Sequence, residues 1–426
     1  MNLLIALVFV FGYAAIAFEH AIKINKTASA LLTGVLCWTI YILGSENPHL
    51  VAEQLPEHLG EIAGILFFLL GAMTIVELID AHDGFEVITA KISTTDVRKL
   101  LWIVSILTFF LSAVLDNLTT TIVMVSLLRK LIGDKELRLF FVGMVILAAN
   151  AGGAWSPIGD VTTTMLWIGG QLTAAPMILK LFLPSLICLV APLILLSFTL
   201  KGKTEKAVVP LKKTKDGTTP FEQNLVLGLG LGALVFVPIF KTITHLPPFM
   251  GMLFGLGILW VITEIIHKSK NDEEKDLYSV VHALRKADVP SVLFFLGILI
   301  SIAALQSTGQ LAALAFYMDE TIGNTNVIVM SIGLLSAIVD NVPLVAGAMG
   351  MYSLEIFPTD HYFWTFLAYC AGTGGSILII GSAAGVAAMG MEKIDFFWYL
   401  KKIAWLALIG YFAGALAFIL QAQVLG

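Results

Sequence analysis

The stretch Leu111-Ser-Ala-Val-Leu-Asp-Asn117 returns almost unchanged as Leu335-Ser-Ala-Ile-Val-Asp-Asn341. A second pair follows in the same order, Ala151-Gly-Gly153 with Gly159 behind it, and Thr373-Gly-Gly375 with Gly381 behind it. The members of both pairs are separated by nearly the same length of chain. Matches that keep their order and their spacing indicate an internal repeat.

A third pair extends the repeat toward the N-terminus, since Ile65-Leu-Phe-Phe-Leu69 matches Val292-Leu-Phe-Phe-Leu296 at a closely similar separation. We therefore predict a first repeat at 1–199, a short polar linker on the cytoplasmic side at 200–221, and a second repeat at 222–426.

The composition indicates that the solvent of this chain is a lipid bilayer. Of its 426 residues, 58% are hydrophobic and only 13% are charged, and the mean hydropathy is +0.92. A soluble domain carries about 25% charged residues, so this surface would not stay in water. One crossing needs about 20 apolar residues, which leaves room for roughly ten. No basic stripe that would favour nucleic-acid binding lies outside the short loops. The three cysteines fall inside apolar runs, so they predict neither disulfides nor a zinc site.

Two apolar runs, at 100–130 and 325–357, are too long for one straight crossing, and the pairs Asp116-Asn117 and Asp340-Asn341 interrupt them. Arms of about 13–16 residues reach only part of the way through a hydrocarbon core some 30 Å thick. The runs therefore predict two re-entrant helical hairpins, with the polar pairs at their tips.

Two further runs, at 138–170 and 362–391, contain glycine-rich polar breaks, of which Asn150-Ala-Gly-Gly-Ala-Trp-Ser-Pro-Ile-Gly-Asp160 is the clearer. Glycine lets backbones approach closely, and proline stops a helix. Irregular backbone at membrane depth occurs only where it is buried in protein or lines a wet cavity. The predicted fold is thus an all-α polytopic membrane protein with about ten transmembrane helices, two of them broken, and two hairpins.

The basic residues set the predicted orientation, because lysine and arginine collect in cytoplasmic loops. With the N-terminus outside and each hairpin returning to its own side, only Lys180 and Lys241 of the 25 basic residues fall outside the cytoplasmic segments. This arrangement predicts periplasmic N- and C-termini in a bacterial inner membrane, and it makes the two repeats inverted. Inverted repeats with broken helices are typical of secondary transporters, whose site lies at the repeat interface.

The aspartates at the hairpin tips are the first functional candidates. A carboxylate at bilayer depth costs about 2.5–3.5 kcal/mol on insertion scales, so its presence indicates function. The structural alternative is an N-cap for the second hairpin helix, and the two roles are compatible. The predicted ion-binding residues are Asp116, Asn117, Thr119, Thr120, Asn150, Ser156, Asp160, Thr162, Thr163, Ser336, Asp340, Asn341, Thr373 and Ser376. Na⁺ is expected at Asp116, Asn117, Asp340 and Asn341, and the coupled proton at Asp116 and Asp340.

The chemistry of this set favours a cation. Carboxylate, amide, hydroxyl and carbonyl oxygens are the ligands that hard cations prefer. We see no lysine or arginine in the predicted core, so an anionic substrate would meet acids without a cationic partner. A buried carboxylate can hold either a proton or a sodium ion, and exchanging one for the other is antiport. The sequence shows no nucleophile–base set, metal-ligand cluster or cofactor motif, so an enzyme is not expected.

The tip Asp116-Asn-Leu-Thr-Thr120, the break Asn150–Thr163 and the tip Asp340-Asn-Val-Pro343 together resemble the NhaD-type sodium/proton antiporters of the ion-transporter superfamily, over nearly the whole chain. The resemblance implies a scaffold and a transport domain, a homodimer, and an elevator-like movement that carries Na⁺ or Li⁺ against H⁺.

Two alternatives remain open from the sequence. The same superfamily holds sodium/dicarboxylate symporters, whose hairpin tips carry a neutral Ser-Asn-Thr pattern. Asp116 and Asp340 stand where such patterns begin, so we hypothesise that fixed carboxylates replace the charge of the substrate. A channel is the other alternative, although paired inverted hairpins fit a gated carrier better than an open pore.

Overall fold

The computed structural model describes residues 1–17, 19–89, 92, 94–204, 218–268 and 270–425. Across these residues the regular structure is helical, and the isolated bridge between Asp96 and Lys203 is the sole β-type pairing. Most of the predicted linker at 200–221 lies outside the described residues.

The helices of the first half are α1 (Asn2–Ala17), α2 (Glu19–Ile22), α3 (Lys26–Gly44), α4 (Pro48–Ala81), α5 (Gly84–Thr89), α6 (Val97–Ser112), α7 (Asn117–Leu131), α8 (Lys135–Gly153), α9 (Val161–Ile168) and α10 (Ala174–Thr199). Those of the second half are α11 (Pro220–Thr244), α12 (Pro248–Ile266), α13 (Asp272–Leu277), α14 (Val280–Lys286), α15 (Val289–Ser307), α16 (Gln310–Thr321), α17 (Thr325–Leu335), α18 (Asn341–Met351), α19 (Tyr362–Gly374), α20 (Ala383–Glu392), α21 (Phe396–Lys402) and α22 (Ala404–Leu425).

Eight helices in the described part of the chain are long and apolar enough to cross a membrane. They are α3, α4, α8, α10, α11, α12, α15 and α22. Large apolar side chains such as Leu43 and Val424 remain more than 80% exposed on them, as expected where lipid is the solvent. The all-α, polytopic membrane fold predicted from composition is therefore confirmed.

The two long polar-centred runs form pairs of short helices, α6–α7 and α17–α18, with tight turns at 113–116 and 336–340. At 1.5 Å per residue these helices are about 16–24 Å long, so each falls short of a hydrocarbon core about 30 Å thick. Equivalent serines tie each pair to its neighbour. Ser112 Oγ donates to the Ala149 carbonyl at 2.6 Å, and Ser336 Oγ donates to the Ala371 carbonyl at 3.0 Å.

Both predicted helix breaks are present, between α8 and α9 and between α19 and α20. The glycines in these breaks touch the hairpin turns. A Cβ placed on Gly159 would lie 2.6 Å from the Ser112 carbonyl oxygen, and one on Gly381 would lie 2.6 Å from that of Ser336. A side chain at either position would push the hairpin tip away from the break.

Helix α4 begins at Pro48, because Asn47 caps it and proline suits the first helical turn. The short helix α16 was not expected from the sequence, since its apolar run at 311–318 is far shorter than the roughly 20 residues of a crossing.

Candidate functional site

Both hairpin tips and the first helix break meet at one central cavity of about 60 Å³. Three carboxylates, Asp116, Asp160 and Asp340, line this cavity together with the amides Asn117 and Asn341. Asp116 and Asp340 thus line the same cavity, as predicted. Neither of them accepts the largest number of hydrogen bonds among its carboxylates.

Asp160 accepts more hydrogen bonds than the other two carboxylates of the central cavity. Its Oδ1 accepts from the Thr162 backbone N–H at 2.8 Å and from Thr162 Oγ1 at 2.6 Å. The tip amides complete the shell, since Asn117 Nδ2 lies 2.5 Å from Oδ2 and Asn341 Nδ2 lies 3.4 Å from Oδ1. Asp160 is 1% exposed. A carboxylate this deeply buried needs such donors, because an unpaired charge away from water is costly.

A chain of amides and hydroxyls runs from the first tip to the second helix break. Asn117 Nδ2 also donates to Asn150 Oδ1 at 3.0 Å, and Asn150 Nδ2 donates to Ser382 Oγ at 3.0 Å. Ser382 in turn accepts from the Gly385 backbone N–H at 3.2 Å, which caps α20. The chain therefore connects the first hairpin tip, in the first half, to the second helix break, in the second half.

Asp116 is turned toward its own helix. Its two carboxylate oxygens accept from the backbone N–H and from Oγ1 of Thr119, each at 2.7 Å, so it caps α7. Its backbone φ is +148° with ψ at 164°, a region that normally admits only glycine and costs roughly 1–3 kcal/mol for other residues. Strain of this kind persists where the surroundings enforce it, and it is concentrated at functional sites.

Asp340 is paired with a lysine. Lys26 Nζ lies 3.6 Å from Asp340 Oδ2, and it sits 4.4 Å from the centre of the Phe294 ring. Lys26 also lines the central cavity. The sequence-based inference that no lysine or arginine lies in the core is therefore wrong, because Lys26 is the first residue of α3 and its side chain reaches inward from the end of an apolar run.

The remaining predicted ligands lie around the cavity and bond mostly to backbone. Oγ1 of Thr120 has no hydrogen-bond partner among the described residues. The acceptors of the others are carbonyl oxygens: Thr163 to Asp160, Ser156 to Ala113, Ser336 to Ala371, Thr373 to Tyr369, and Ser376 to Thr373. These hydroxyls hold the hairpin turns and helix breaks in shape, and in this conformation they do not face the cavity.

Helix α4 passes three cavities in succession. Glu61 and Ile65 line one of about 390 Å³, Phe68 and Ala72 line the central one, and Glu77 lines a third of about 210 Å³. The third cavity is rich in acids and reaches Thr119, next to the first tip. The central cavity thus lies between two larger ones along one helix.

Comparison with known proteins gives one family and several near-full-length relatives. Residues 13–367 match the family model CitMHS, described as a citrate transporter. Sodium/proton antiporter 1 of Arabidopsis thaliana is 51% identical over 97% of this chain and 71% of the relative, and sodium/proton antiporter 2 of the same plant is 48% identical over 97% and 98%. The Na⁺/H⁺ antiporter NhaD of Vibrio cholerae is 31% identical over 95% of this chain and 88% of the relative.

Proposed function

Because the chain belongs to the CitMHS family of citrate transporters and is of the NhaD type within it, we propose that it is a secondary-active antiporter that exchanges Na⁺ or Li⁺ for H⁺. The names of its relatives support this exchange in general terms. The roles of individual residues, and the movement that alternates access, are our inference from the site.

Asp160 is the group at which we place the exchange. The observation that carries this assignment is that amides from both hairpin tips, Asn117 and Asn341, reach the same buried carboxylate. In the ion-free state these N–H donors stabilise its charge. Flipping each side-chain amide end for end would present its oxygen instead, and amide with carboxylate oxygens would then surround a cation. A proton on Asp160 would neutralise the same charge without that flip.

Asp116 serves as a second carboxylate in the same cavity. Two acids in so small a space favour the binding of at least one positive charge. The cation and the proton would therefore compete for a shared negative charge, which is the requirement for antiport.

A carboxylate symporter is the second candidate, favoured by the name of the family model and by the ammonium of Lys26 in the cavity. The volume argues against it, since pockets for small organic ligands are about 300–1,000 Å³ and the central cavity is about 60 Å³. Lys26 is also already paired with Asp340, so its charge is not free for a substrate.

Alternating access completes the proposal. The two larger cavities on either side of the central one along α4 would be the two approaches, and the hairpins with the broken helices would move between them as a transport domain in an elevator-like step. The division into inverted repeats at 1–199 and 222–426, the homodimer, and the outward position of both termini belong to the same proposal. The bacterial inner membrane stays a prediction, since relatives come from a plant as well as from bacteria.

The exchange can be measured with purified protein in liposomes that carry a pH gradient and a pH-sensitive dye. We expect Na⁺ or Li⁺ to dissipate the gradient, and citrate to have no effect with or without Na⁺. Citrate uptake that depends on Na⁺ would establish the symporter and overturn the antiporter.

The role of Asp160 is tested by D160N against the matched control D134N. Asp134 makes the same type of cap, accepting from Glu136 N–H at 2.9 Å, but it is exposed at the start of α8. We expect D160N to abolish Na⁺-dependent proton movement and D134N to retain it. Full activity of D160N would remove Asp160 from the proposed mechanism.

A further inference from the structure

Lys26 stands at a position that its own helix does not favour. It is the first residue of α3, where the N-terminal end of the helix dipole repels a positive charge. Its side chain instead makes two contacts outside the helix, with the Asp340 carboxylate at 3.6 Å and with the face of Phe294 at 4.4 Å. The side chain is 28% exposed and that of Asp340 is 18% exposed, so the pair is partly withdrawn from solvent.

The pair of Lys26 and Asp340 separates two cavities. Both residues line the central cavity, and both also line a neighbouring cavity of about 240 Å³. This neighbouring cavity lies beside α1 and the second hairpin, where Tyr13, Glu19 and Val339 contribute to its wall. The ammonium and the carboxylate thus form part of the partition between the ion site and a second space.

Lys26 offsets part of the negative charge of the central cavity. Three carboxylates line it, and Lys26 is the sole cationic side chain of its lining among the described residues. The attraction between unit charges about 4 Å apart ranges from about 1 kcal/mol in water to about 4 kcal/mol near a protein surface. The ammonium of Lys26 therefore neutralises Asp340 and leaves Asp116 and Asp160 as the negative charge available for exchange.

We propose that Lys26 is a built-in cation that occupies the place of a transported ion at Asp340 and thereby sets the affinity of the central cavity for Na⁺. This inference rests on the proposed function. Lys26 belongs to α3, which packs against α1 and α15, whereas Asp340 belongs to the second hairpin. A movement of that hairpin relative to α3 would break the pair, so the pair also favours the conformation seen in this structure.

The proposal predicts opposite effects for the two single substitutions. K26M keeps the length of the side chain over Phe294 and removes the charge, so Asp340 adds its negative charge to the cavity and the KM for Na⁺ falls about tenfold. D340N leaves the ammonium unpaired beside the site, so the KM for Na⁺ rises about tenfold. A tenfold change corresponds to about 1.4 kcal/mol, which lies at the low end of the attraction expected for such a pair.

The double variant K26M/D340N gives the decisive result. If the two residues act through each other, the double variant returns toward the KM of the parent protein, because the cavity regains its net charge. If Asp340 is an independent ligand for Na⁺, the double variant stays as weak as D340N, and the proposal is overturned. K26R retains the charge, so its KM is expected to lie closer to that of the parent protein than the KM of K26M does. K23M is the matched control, since Lys23 is exposed in the short connection between α2 and α3.

Two outcomes distinguish this inference from the proposed function. If D160N loses exchange while K26M and D340N both keep the parental KM for Na⁺, the role of Lys26 is overturned and the antiporter function stands. Absence of Na⁺-dependent proton movement in the parent protein overturns the antiporter itself. Should K26M fold poorly, K26Q takes its place, alone and together with D340N, because it also removes the charge and the proposal requires the same lowered KM in the single variant and the same return toward the parental KM in the double variant.

Discussion

Asp160 and Ser382 occupy equivalent positions after the two helix breaks, and each caps the half-helix that follows it. One is a carboxylate and the other a hydroxyl, so the two halves share a backbone design but not a charge. Asn150 lies between them, receiving a bond from Asn117 and donating one to Ser382. The site therefore combines a symmetric framework with a charge supplied by the first half.

The two tip amides, Asn117 and Asn341, should contribute unequally to Na⁺ exchange. Asn117 lies 2.5 Å from one oxygen of Asp160 and also bonds to Asn150, whereas Asn341 makes one long contact of 3.4 Å. We expect N117A to lower the kcat/KM for Na⁺ by about tenfold or more and N341A to lower it less, since a hydrogen bond to a charged group contributes about 1.5–3 kcal/mol. Liposome exchange assays over a range of Na⁺ concentrations measure both, and a larger loss in N341A would contradict the assignment.

Backbone strain at Asp116 predicts a separation of stability from activity. Glycine tolerates the φ of +148° that Asp116 adopts, so D116G relieves strain of roughly 1–3 kcal/mol and loses little as a helix cap. We expect D116G to unfold at a temperature no lower than the parent protein, and D116A to unfold at a lower one. Both should lose exchange.

The control for these Asp116 variants is D395G. Asp395 caps α21 by accepting from Trp398 N–H at 2.9 Å, but with an ordinary φ of −73°. Glycine there should give no gain in stability and should not affect exchange. Equal melting temperatures of D116G and D116A would show that the backbone of Asp116 is unstrained.

The hairpin tips could be predicted from the sequence because their signal is local. An Asp-Asn pair in the middle of an apolar run, repeated in the second half of the chain, needs no tertiary information. The ends of α6, α7, α17 and α18 accordingly lie near the predicted runs. Residue patterns of this kind indicate where a helix must stop and which side chains it brings to membrane depth.

The sequence could not predict in the same way which residues of the site make the most contacts. Asp160 gains its role from Asn117 and Asn341, which are 43 and 181 residues away in sequence. Lys26 was missed because it stands at the boundary of an apolar run, where a lysine normally points to solvent. One available signal was its place at a helix N-terminus, where a positive charge is unfavourable.

Glu392 forms ion pairs with two arginines of the first half, and these pairs should be a main stabilising contact between the two halves. Its side chain is 3% exposed and accepts from Arg129 Nε at 2.5 Å and from Arg138 Nε at 3.0 Å. Removing one partner of a fully buried pair costs about 3–5 kcal/mol, because charge is left behind unpaired. Arg138 is 16% exposed and Arg129 is 47% exposed, so the cost here is lower and comes mainly from Arg138. We expect E392Q to lower the unfolding temperature by several degrees.

The matched control for E392Q is E86Q, since Glu86 pairs with Lys130 at 2.9 Å while both side chains are about half exposed. Exposed pairs contribute about 0–1 kcal/mol, so E86Q should melt near the parent protein. Similar unfolding temperatures for the two variants would show that burial does not strengthen the Glu392 pairs.

Two buried histidines just beyond the ends of α4 and α12 share one hydrogen bond. His82 Nδ1 lies 2.7 Å from the Leu78 carbonyl and must donate to it, so its neutral Nε2 accepts from His267 Nε2 at 2.9 Å. His267 Nδ1 then carries no hydrogen, and it faces Glu222 Oε1 at 3.7 Å. A proton on His82 Nε2 would place two donors against each other and break the contact.

This pair predicts that stability falls in mild acid. Burial, together with the nearby Lys270 and His82, lowers the pKa of His267 from 6.5 to about 4, against the opposing pull of Glu222 and Glu264. The unfolded chain therefore binds more protons between pH 6.5 and pH 4, so the contribution is complete above pH 6.5 and is lost as the pH falls toward 4.

We expect H267Q to remove part of this pH dependence. Between pH 7.5 and pH 4.5 its unfolding temperature should fall by about 2–4 °C less than that of the parent protein. Thermal unfolding in detergent at pH 7.5, 6 and 4.5 measures the difference, with the exposed His49 changed to Gln as the control. Parallel curves for H267Q and the parent protein would mean that the histidine pair does not sense pH.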